Sequence, residues 1–292
     1  MKFFEKLLKY FEICAILSKT NVKGKVKNVI AEERRNALVE YLSQKEYTPL
    51  SKIFSAFPDI SPSTIRRDLQ ALTAQGRVVL MRGGAKLPDA VDMADLPIDT
   101  KLHIHTHEKQ RMAFLASKLI KDNDIVYLDS SSSVYPVLTF VKDKRITVVT
   151  SGLNTAWKAM KLGLRCVLVG GDLRADVGSV VGPLCCEQLK TMHFDVALMG
   201  CNGFSEEHGI STPHAEEAAK IRIVKENSTC CRFLLDHSKC RRSFTYRALP
   251  LNEAEVISDK PCAFSDRFAS FTVAKRINEP MPTVYDTDGS DE

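Results

Sequence analysis

Hydrophobic positions recur along this chain with two different rhythms, and the change between them divides it. In the first quarter the rhythm is helical. Residues 32–43 place Ala37, Leu38, Tyr41 and Leu42 on one face, the spacing of an amphipathic helix. Thr48-Pro49 opens a second helix with Leu50, Ile53, Phe54 and Phe57 on one side, and Pro58-Asp59 breaks it. A third starts at Ser61, whose hydroxyl can accept from an otherwise unpaired backbone N–H, with Pro62 where a first-turn proline is tolerated. Ile65, Leu69 and Leu72 fall four and three apart as its buried stripe, leaving Arg66, Arg67 and Gln70 on other faces until Gly76 supplies the stop. Residues 77–82 predict a short strand pair that ends in Gly83-Gly84, a small wing beside the third helix. This is the helix-turn-helix plan, in which a short helix with its apolar side held presents free arginines to a major groove. The candidate DNA contacts are Ser61, Ser63, Thr64, Arg66, Arg67 and Gln70 on the helix and Arg82, Gly83 and Gly84 on the wing.

From residue 113 the rhythm changes. Ala113, Leu115, Ala116, Leu119 and Ile120 suggest one more helix, and short continuous apolar runs follow at 125–128, 146–149, 166–169, 196–199, 233–235 and 256–257. Continuous apolar strands separated by helices predict a mostly parallel sheet covered on both faces. Each run ends in a polar or glycine-rich loop: Asp129-Ser130-Ser131-Ser132-Ser133, Thr150-Ser151-Gly152, Gly170-Gly171-Asp172, Gly200-Cys201-Asn202-Gly203, Asp236-His237-Ser238-Lys239 and Ser258-Asp259. Ligands of such sheets bind outside the carboxyl ends of the strands. The serine run offers hydroxyls and backbone N–H groups at a helix start, an anion cradle; Thr150 and Ser151 offer a second, and Lys239 a compact positive charge for a phosphate. Asp129 and Asp236 add carboxylates, and a small phosphorylated ligand is the expectation.

Charge supports a division of labour. Residues 1–87 hold 16 Lys/Arg against 8 Asp/Glu, whereas residues 88–292 hold 25 against 28. A basic head on a slightly acidic body is the footprint of a DNA-binding domain joined to a separate one, and 292 residues accommodate two domains. The boundaries read as an amphipathic extension at 1–31, the winged head at 32–87, an Asp- and Pro-rich linker at 88–100, the α/β body at 101–260 and a C-terminal segment with an acidic tail at 261–292. Glu12 interrupts the apolar part of the extension and no small-residue cleavage site follows Leu17, so a signal peptide is a poor fit. No apolar run of about 18 residues predicts a membrane span. Nine cysteines, none in a C-x-x-C pair, point to a reducing cytoplasm rather than a disulfide scaffold or zinc ribbon. His103-Ile104-His105-Thr106-His107 reads as an exposed junction between linker and helix; no metal and no cofactor are expected.

Glu33-Arg34-Arg35 through Ser51-Lys52-Ile53-Phe54, the Ser61-Pro62-Ser63-Thr64-Ile65-Arg66-Arg67-Asp68-Leu69 string and Gly83-Gly84-Ala85 together resemble the DeoR-type family of bacterial transcription regulators. Arg82 stands where many members carry histidine. The resemblance continues through the strand-end motifs, including Gly170-Gly171, Gly200-Cys201-Asn202-Gly203 and Asp236-His237-Ser238-Lys239, to about Asp259. It implies a sensor domain similar in fold to ribose-5-phosphate isomerase, one that commonly binds a sugar phosphate or related metabolite. Ser133 replaces the family's usual threonine, and the family's acidic residue and lysine in the helix after the fourth strand would be Glu216 or Glu217 and Lys220. The candidate effector contacts are therefore Asp129, Ser130, Ser131, Ser132, Ser133, Thr150, Ser151, Gly170, Gly171, Gly203, Glu216, Lys220, Asp236 and Lys239. Two functions follow as expectations. The first is a repressor of carbohydrate genes that binds a double-stranded operator as a homodimer or higher oligomer under control of a phosphorylated sugar or polyol. The second is a sugar-phosphate isomerase-like enzyme carrying a DNA-binding head.

Overall fold

The computed structural model describes residues 26–45, 47–88, 98–175 and 177–275. Most of the N-terminal extension, the central linker and the acidic tail lie outside them. The head has three helices, α1 (Val26–Leu42), α2 (Leu50–Ala56) and α3 (Pro62–Ala74), and three short antiparallel strands, β1 (Thr48–Pro49), β2 (Val79–Met81) and β3 (Gly84–Lys86), in the order β1-β3-β2. Thr48 and Pro49 pair with Ala85 and Gly84 instead of opening the second helix. Pro49 is extended (φ −60°, ψ 143°), and proline is tolerated at a sheet edge where its missing N–H is not needed. The head core is Leu38, Leu42, Ile53, Ile65, Leu69 and Leu72, all fully buried. α3 ends as its sequence demands. Gly76 takes φ +67°, its N–H donates to Thr73 O (3.0 Å) and that of Arg77 to Leu72 O (2.9 Å), the paired closure of a Schellman motif.

Beyond α4 (Ile98–Leu102) and α5 (Thr106–Ser117), the body winds around a seven-stranded parallel sheet. In chain order its strands are β4 (Ile125–Leu128), β5 (Thr147–Thr150), β6 (Arg165–Leu168), β9 (Phe194–Met199), β12 (Ser228–Leu235), β14 (Glu255–Ser258) and β15 (Ser270–Val273). In space the order is β15-β14-β12-β9-β4-β5-β6. The chain runs outward from β4 to β6, then returns to β9 and runs outward on the other side. The order reverses between β4 and β9, where doubly wound sheets leave a crevice.

Side chains alternate between two cores as strand geometry requires. Val126, Leu128, Val196, Leu198 and Leu234 pack on one face, against α5, α6 (Val137–Val141) and α7 (Leu153–Lys161). Tyr127, Ala197, Met199, Phe233 and Leu235 pack on the other, toward α8 (Pro183–Lys190) and α9 (Ala215–Glu226). Six strands lie where the apolar runs place them. The seventh, β15, falls in the stretch read as a C-terminal segment; only four residues long and partly exposed at the sheet edge, it carries little hydrophobic signal. The hairpin β7 (Asp172–Arg174) with β8 (Ser179–Val181), and the sheet of β10 (Gly203–Ser205), β11 (Gly209–Thr212) and β13 (Tyr246–Leu249), likewise lie outside the six apolar runs.

Candidate functional site

In the head, Ser61 Oγ accepts from the Thr64 N–H (3.2 Å) and lies 2.9 Å from the Ser63 hydroxyl and 2.8 Å from that of Thr64, so α3 is capped as expected. The Arg66-Arg67-Asp68 run splits by direction. Asp68 is buried and accepts from Arg34 and from Arg35 Nε (3.2 Å), two guanidinium groups of α1. This paired carboxylate fixes α3 against α1 and turns both arginines outward. The Arg66 guanidinium sits 5.1 Å from the Phe54 ring centroid, held over α2, while Arg67 and Gln70 are exposed. Arg82 and Gly83 are exposed at the wing tip; Gly84 is buried under the Tyr47 ring.

In the body, the crevice between β4 and β9 is drawn tight at its base. The Asp129 N–H donates to Leu198 O (3.1 Å), and the Gly200 N–H donates to Asp129 Oδ2 (3.1 Å). A Cβ on Gly200 would lie 2.1 Å from Ser131 Oγ, so only glycine lets the two loops meet. Above this contact opens a cavity of about 140 Å³, lined by Asp129, Ser130, Ser131, Ser132, Asp236 and Lys239 from the strand-end loops. Asn202, Thr212, Glu217, Ser238, Arg174 and Arg242 add to that wall, and Lys101, Ile104, His105 and Lys109 close it from α4 and α5.

A buried charge cluster underlies one end. Lys220 Nζ, fully buried, lies 2.8 Å from Glu217 Oε2 and 4.0 Å from Asp129 Oδ1, and donates to Ser179 Oγ (2.9 Å). Burial works against the Lys220 ammonium, yet Glu217, Tyr127 and Asp129 raise it above the ordinary lysine range. Burial pushes the Asp129 carboxyl up against the pull of Lys220, and its Oδ1 is buried without a hydrogen-bond partner among the described residues. Burial would also raise Glu217, but Lys220 and the Ser179 hydroxyl bring it below its usual value. At the other end burial opposes the charge on Asp236, and Lys239, His105 and Lys109 hold it ionised well below the carboxylate range. Burial brings Lys109 down from 10.5 to about 7. One end therefore holds the Asp129 carboxylate beside Lys220, and the other gathers Lys239, Lys109 and His105 around the Asp236 carboxylate.

The remaining candidate positions are placed differently. Ser133 is fully buried behind the serine loop, its Oγ accepting from Lys239 Nζ (3.3 Å). Thr150 and Ser151 are also buried: Thr150 Oγ1 accepts from the Gly152 N–H (3.0 Å), and Ser151 Oγ lies 2.9 Å from the Tyr127 hydroxyl. The Gly170 N–H donates to Gln188 Oε1 (3.0 Å), Gly171 packs on Val181, and Gly203 packs under Arg242 and Phe244. Glu216 is exposed, and its neighbour Glu217 makes the pair with Lys220. None of Ser133, Thr150, Ser151, Gly170, Gly171, Gly203, Glu216 and Lys220 lines the cavity.

The histidine run is not the exposed junction its sequence suggests. His103 and His105 are half-buried, and only His107 is exposed. His105 caps α5 in the left-handed region (φ 54°), with its ring centroid 5.1 Å from that of His237. His237 Nδ1 lies 2.7 Å from Asp259 Oδ2; this hydrogen bond raises the His237 imidazole, whereas burial lowers that of His105. Among the described residues no group of three His, Cys, Asp or Glu side chains is arranged to hold a metal ion, and no helix is long and apolar enough to cross a membrane.

Residues 34–91 match the DeoR-like helix-turn-helix domain and residues 104–260 the DeoR C terminal sensor domain. The chain belongs to the DeoR family of transcription regulators. It is 32% identical over 227 residues to the HTH-type transcriptional repressor GlcR of Bacillus subtilis (strain 168), covering 77% of this chain and 87% of the relative. It is 27% identical over 213 residues to the glycerol-3-phosphate regulon repressor of Escherichia coli (strain K12), covering 72% and 83%. Among solved structures, ribose 5-phosphate isomerase A of Methanocaldococcus jannaschii overlaps 45% of this chain and 53% of its own at 17% identity, with a TM-score of 0.33, too slight a likeness to carry an argument. The two DeoR matches fall on the winged head and the α/β body, and the sensor match begins at Ile104, within the segment that closes the cavity.

Proposed function

We propose that this DeoR-family chain is a transcription repressor whose head binds a double-stranded operator and whose body is controlled by a phosphorylated sugar or polyol. The observation that carries this reading is the two-ended cavity at the point where the strand order reverses. The Asp129 carboxylate, whose Oδ1 makes no hydrogen bond among the described residues and lies 4.0 Å from Lys220 Nζ, suits a ligand hydroxyl, and the Lys239, Arg242 and Lys109 end suits a phosphate. Ser130, Ser131 and Ser132 line the floor between them. Ser133 and Lys220 support that floor from behind. On the head, Arg67 reads a base edge and Arg66, tethered on Phe54, clamps a phosphate; Ser61, Ser63, Thr64, Gln70 and the Arg82-Gly83 tip complete the contact.

Operator recognition of this type uses two heads on symmetric half-sites. The open edge strand β6 supports a dimer formed through the body. Val167 and Leu168 are exposed there beside Leu153, Trp157 and Met160 of α7, and Leu173 and Leu184 are exposed on the neighbouring elements. The working compartment is the cytoplasm, where operator and phosphorylated metabolites coexist. The body is a sensor and not an enzyme: Lys220 is held by Glu217, Asp129 and Ser179, which suits it to fixing loop geometry.

A thermal-shift screen of ribose 5-phosphate, glucose 6-phosphate, fructose 1-phosphate and glycerol 3-phosphate tests the reading, since a ligand selective for the folded state raises the melting temperature. At least one should stabilise the chain where its unphosphorylated parent does not. Accumulation of ketose from ribose 5-phosphate, abolished by Asp129→Ala, would favour the isomerase alternative.

A further inference from the structure

Three consecutive residues of the segment joining head to body face three different surroundings. His103 lies near Arg77 and Glu32 of the head, and burial with the Arg77 charge lowers its imidazole to about 4. Ile104 is 2% exposed and belongs to the head's hydrophobic core with Leu38, Ile65 and Leu69, yet it also lines the cavity. His105 faces Asp236 and His237 at the cavity wall. One turn into α5, Lys109 is buried against the same cavity, and its only side-chain hydrogen bond among the described residues goes to the Lys101 carbonyl. An ammonium carries three donors, and a buried one with a single acceptor is suited to an anion that supplies the others. The bend that aims these side chains is held at a backbone conformation unusual for a non-glycine residue, His105 at φ 54°.

We propose that His105 and Lys109 contact the effector's phosphate group as part of the binding site, and that occupancy reaches the DNA-binding head directly through Ile104. The proposal rests on the reading of this cavity as the effector site. A ligand shifts a conformational equilibrium only by binding one arrangement better than another. Here the discriminating contacts are built in, because one wall of the cavity is a strand of chain whose neighbouring side chain is a core residue of the head. If the head turns or tilts, Ile104 moves with its core and carries the adjoining His105 relative to the serine loop, to Lys239 and to Lys109, which α5 holds against the body's sheet through Met112, Ala113 and Ala116. The phosphate then lies between His105, next to the head's Ile104, and Lys109 and Lys239, which stay with the body, and the hydroxyl end at Asp129 anchors the ligand to the sensor alone. Neither residue belongs to the strand-end loops that supply the rest of the site, so their contribution is a property of the junction.

Hydrogen exchange of the full chain tests this, with and without a saturating concentration of whichever of ribose 5-phosphate, glucose 6-phosphate, fructose 1-phosphate or glycerol 3-phosphate gives the largest thermal shift. In the wild type, amides at 129–133 gain protection, and exchange also changes in head peptides containing Leu38, Leu69 and Leu72. In Ile104→Ala the protection at 129–133 persists at saturation and the head's response is lost. Lys109→Gln, which leaves the head's core untouched, weakens the same sugar phosphate at least about tenfold, as expected when one partner of a buried charge-assisted contact is removed. A head that still responds in Ile104→Ala, or Lys109→Gln binding within about twofold of wild type, overturns the proposal while leaving the effector reading standing. Should Ile104→Ala unfold the head, the Lys109→Gln affinity decides alone. Absence of protection at 129–133 with all four compounds overturns the effector reading, and this proposal with it.

Discussion

Lys109 should be a liability to the folded protein, kept for a ligand. Its side chain is 4% exposed on α5, and burial lowers the ammonium from 10.5 to about 7 against the upward pull of Asp236 and Glu108; Lys239 and Lys101 lower it further, and His105 shares the same carboxylate. At about 1.4 kcal/mol per pH unit, that displacement corresponds to roughly 4–5 kcal/mol of destabilisation when both folded and unfolded chains hold the proton. The sign follows from the folded value lying below the unfolded one. Below pH 7 both states are charged and the full cost is present; as pH rises from 7 to 10.5 the folded protein stays neutral while the unfolded chain still binds a proton, and the cost fades. Lys109→Met should therefore stabilise the protein at pH 6.5, by up to about 4 kcal/mol, and lose most of that advantage at pH 9.5. Asp236 is not stranded by the change, because Lys239 and His105 still face it. Urea denaturation of the full chain at the two pH values measures the difference directly. A variant less stable than wild type at pH 6.5 would make Lys109 a net-stabilising partner of Asp236, and an equal stability difference at both pH values would show that burial does not depress the Lys109 ammonium.

Three further outcomes follow from the same geometry. Asp68→Asn removes the carboxylate that pairs with Arg34 and Arg35, and should cost the head about 3 kcal/mol in denaturant unfolding, the loss expected when a buried pair is broken from one side. On operator DNA, Arg67→Ala should cost about 1–3 kcal/mol and relax preference at one base pair, whereas Arg66→Ala should weaken all sequences alike and reduce the salt slope by about one; titrations at several salt concentrations separate the two, and identical effects would contradict the assigned roles. Leu168→Glu places a carboxylate on the exposed β6 edge and should convert a dimer to a monomer by light scattering at micromolar concentration; an unchanged mass would move the interface elsewhere.

The recognition helix was legible because local chemistry determines it. Ser61 caps, Pro62 begins, Ile65, Leu69 and Leu72 bury, and Gly76 closes, each within a few residues of its cause. The sheet was legible for a similar reason, since strands buried on both faces read as continuous apolar runs. Which strand-end groups reach the cavity was not. Thr150 and Ser131 follow equivalent strands, but Thr150 turns back to its own loop while Ser131 meets Gly200 at the strand-order reversal. That difference is set by which strands become neighbours, not by the loop sequences. Lys109 and His105 were invisible for a related reason: a lysine and a histidine in a polar helical stretch read as solvated, and only their packing against Asp236 and His237 buries them. Asp68 was not legible either: it follows the two exposed arginines in sequence, yet its carboxylate is directed at α1.

In the proposed function, one cavity between β4 and β9 governs how the head holds DNA. The most direct measurement is the affinity of the full chain for an operator duplex, selected from a random-sequence pool, with and without the sugar phosphate that most raises the melting temperature. The affinity should change by about 5–150-fold, the usual range of allosteric coupling, an effect absent with the unphosphorylated sugar and abolished by Asp129→Ala. An operator affinity unaltered by a compound that demonstrably binds the cavity would contradict it.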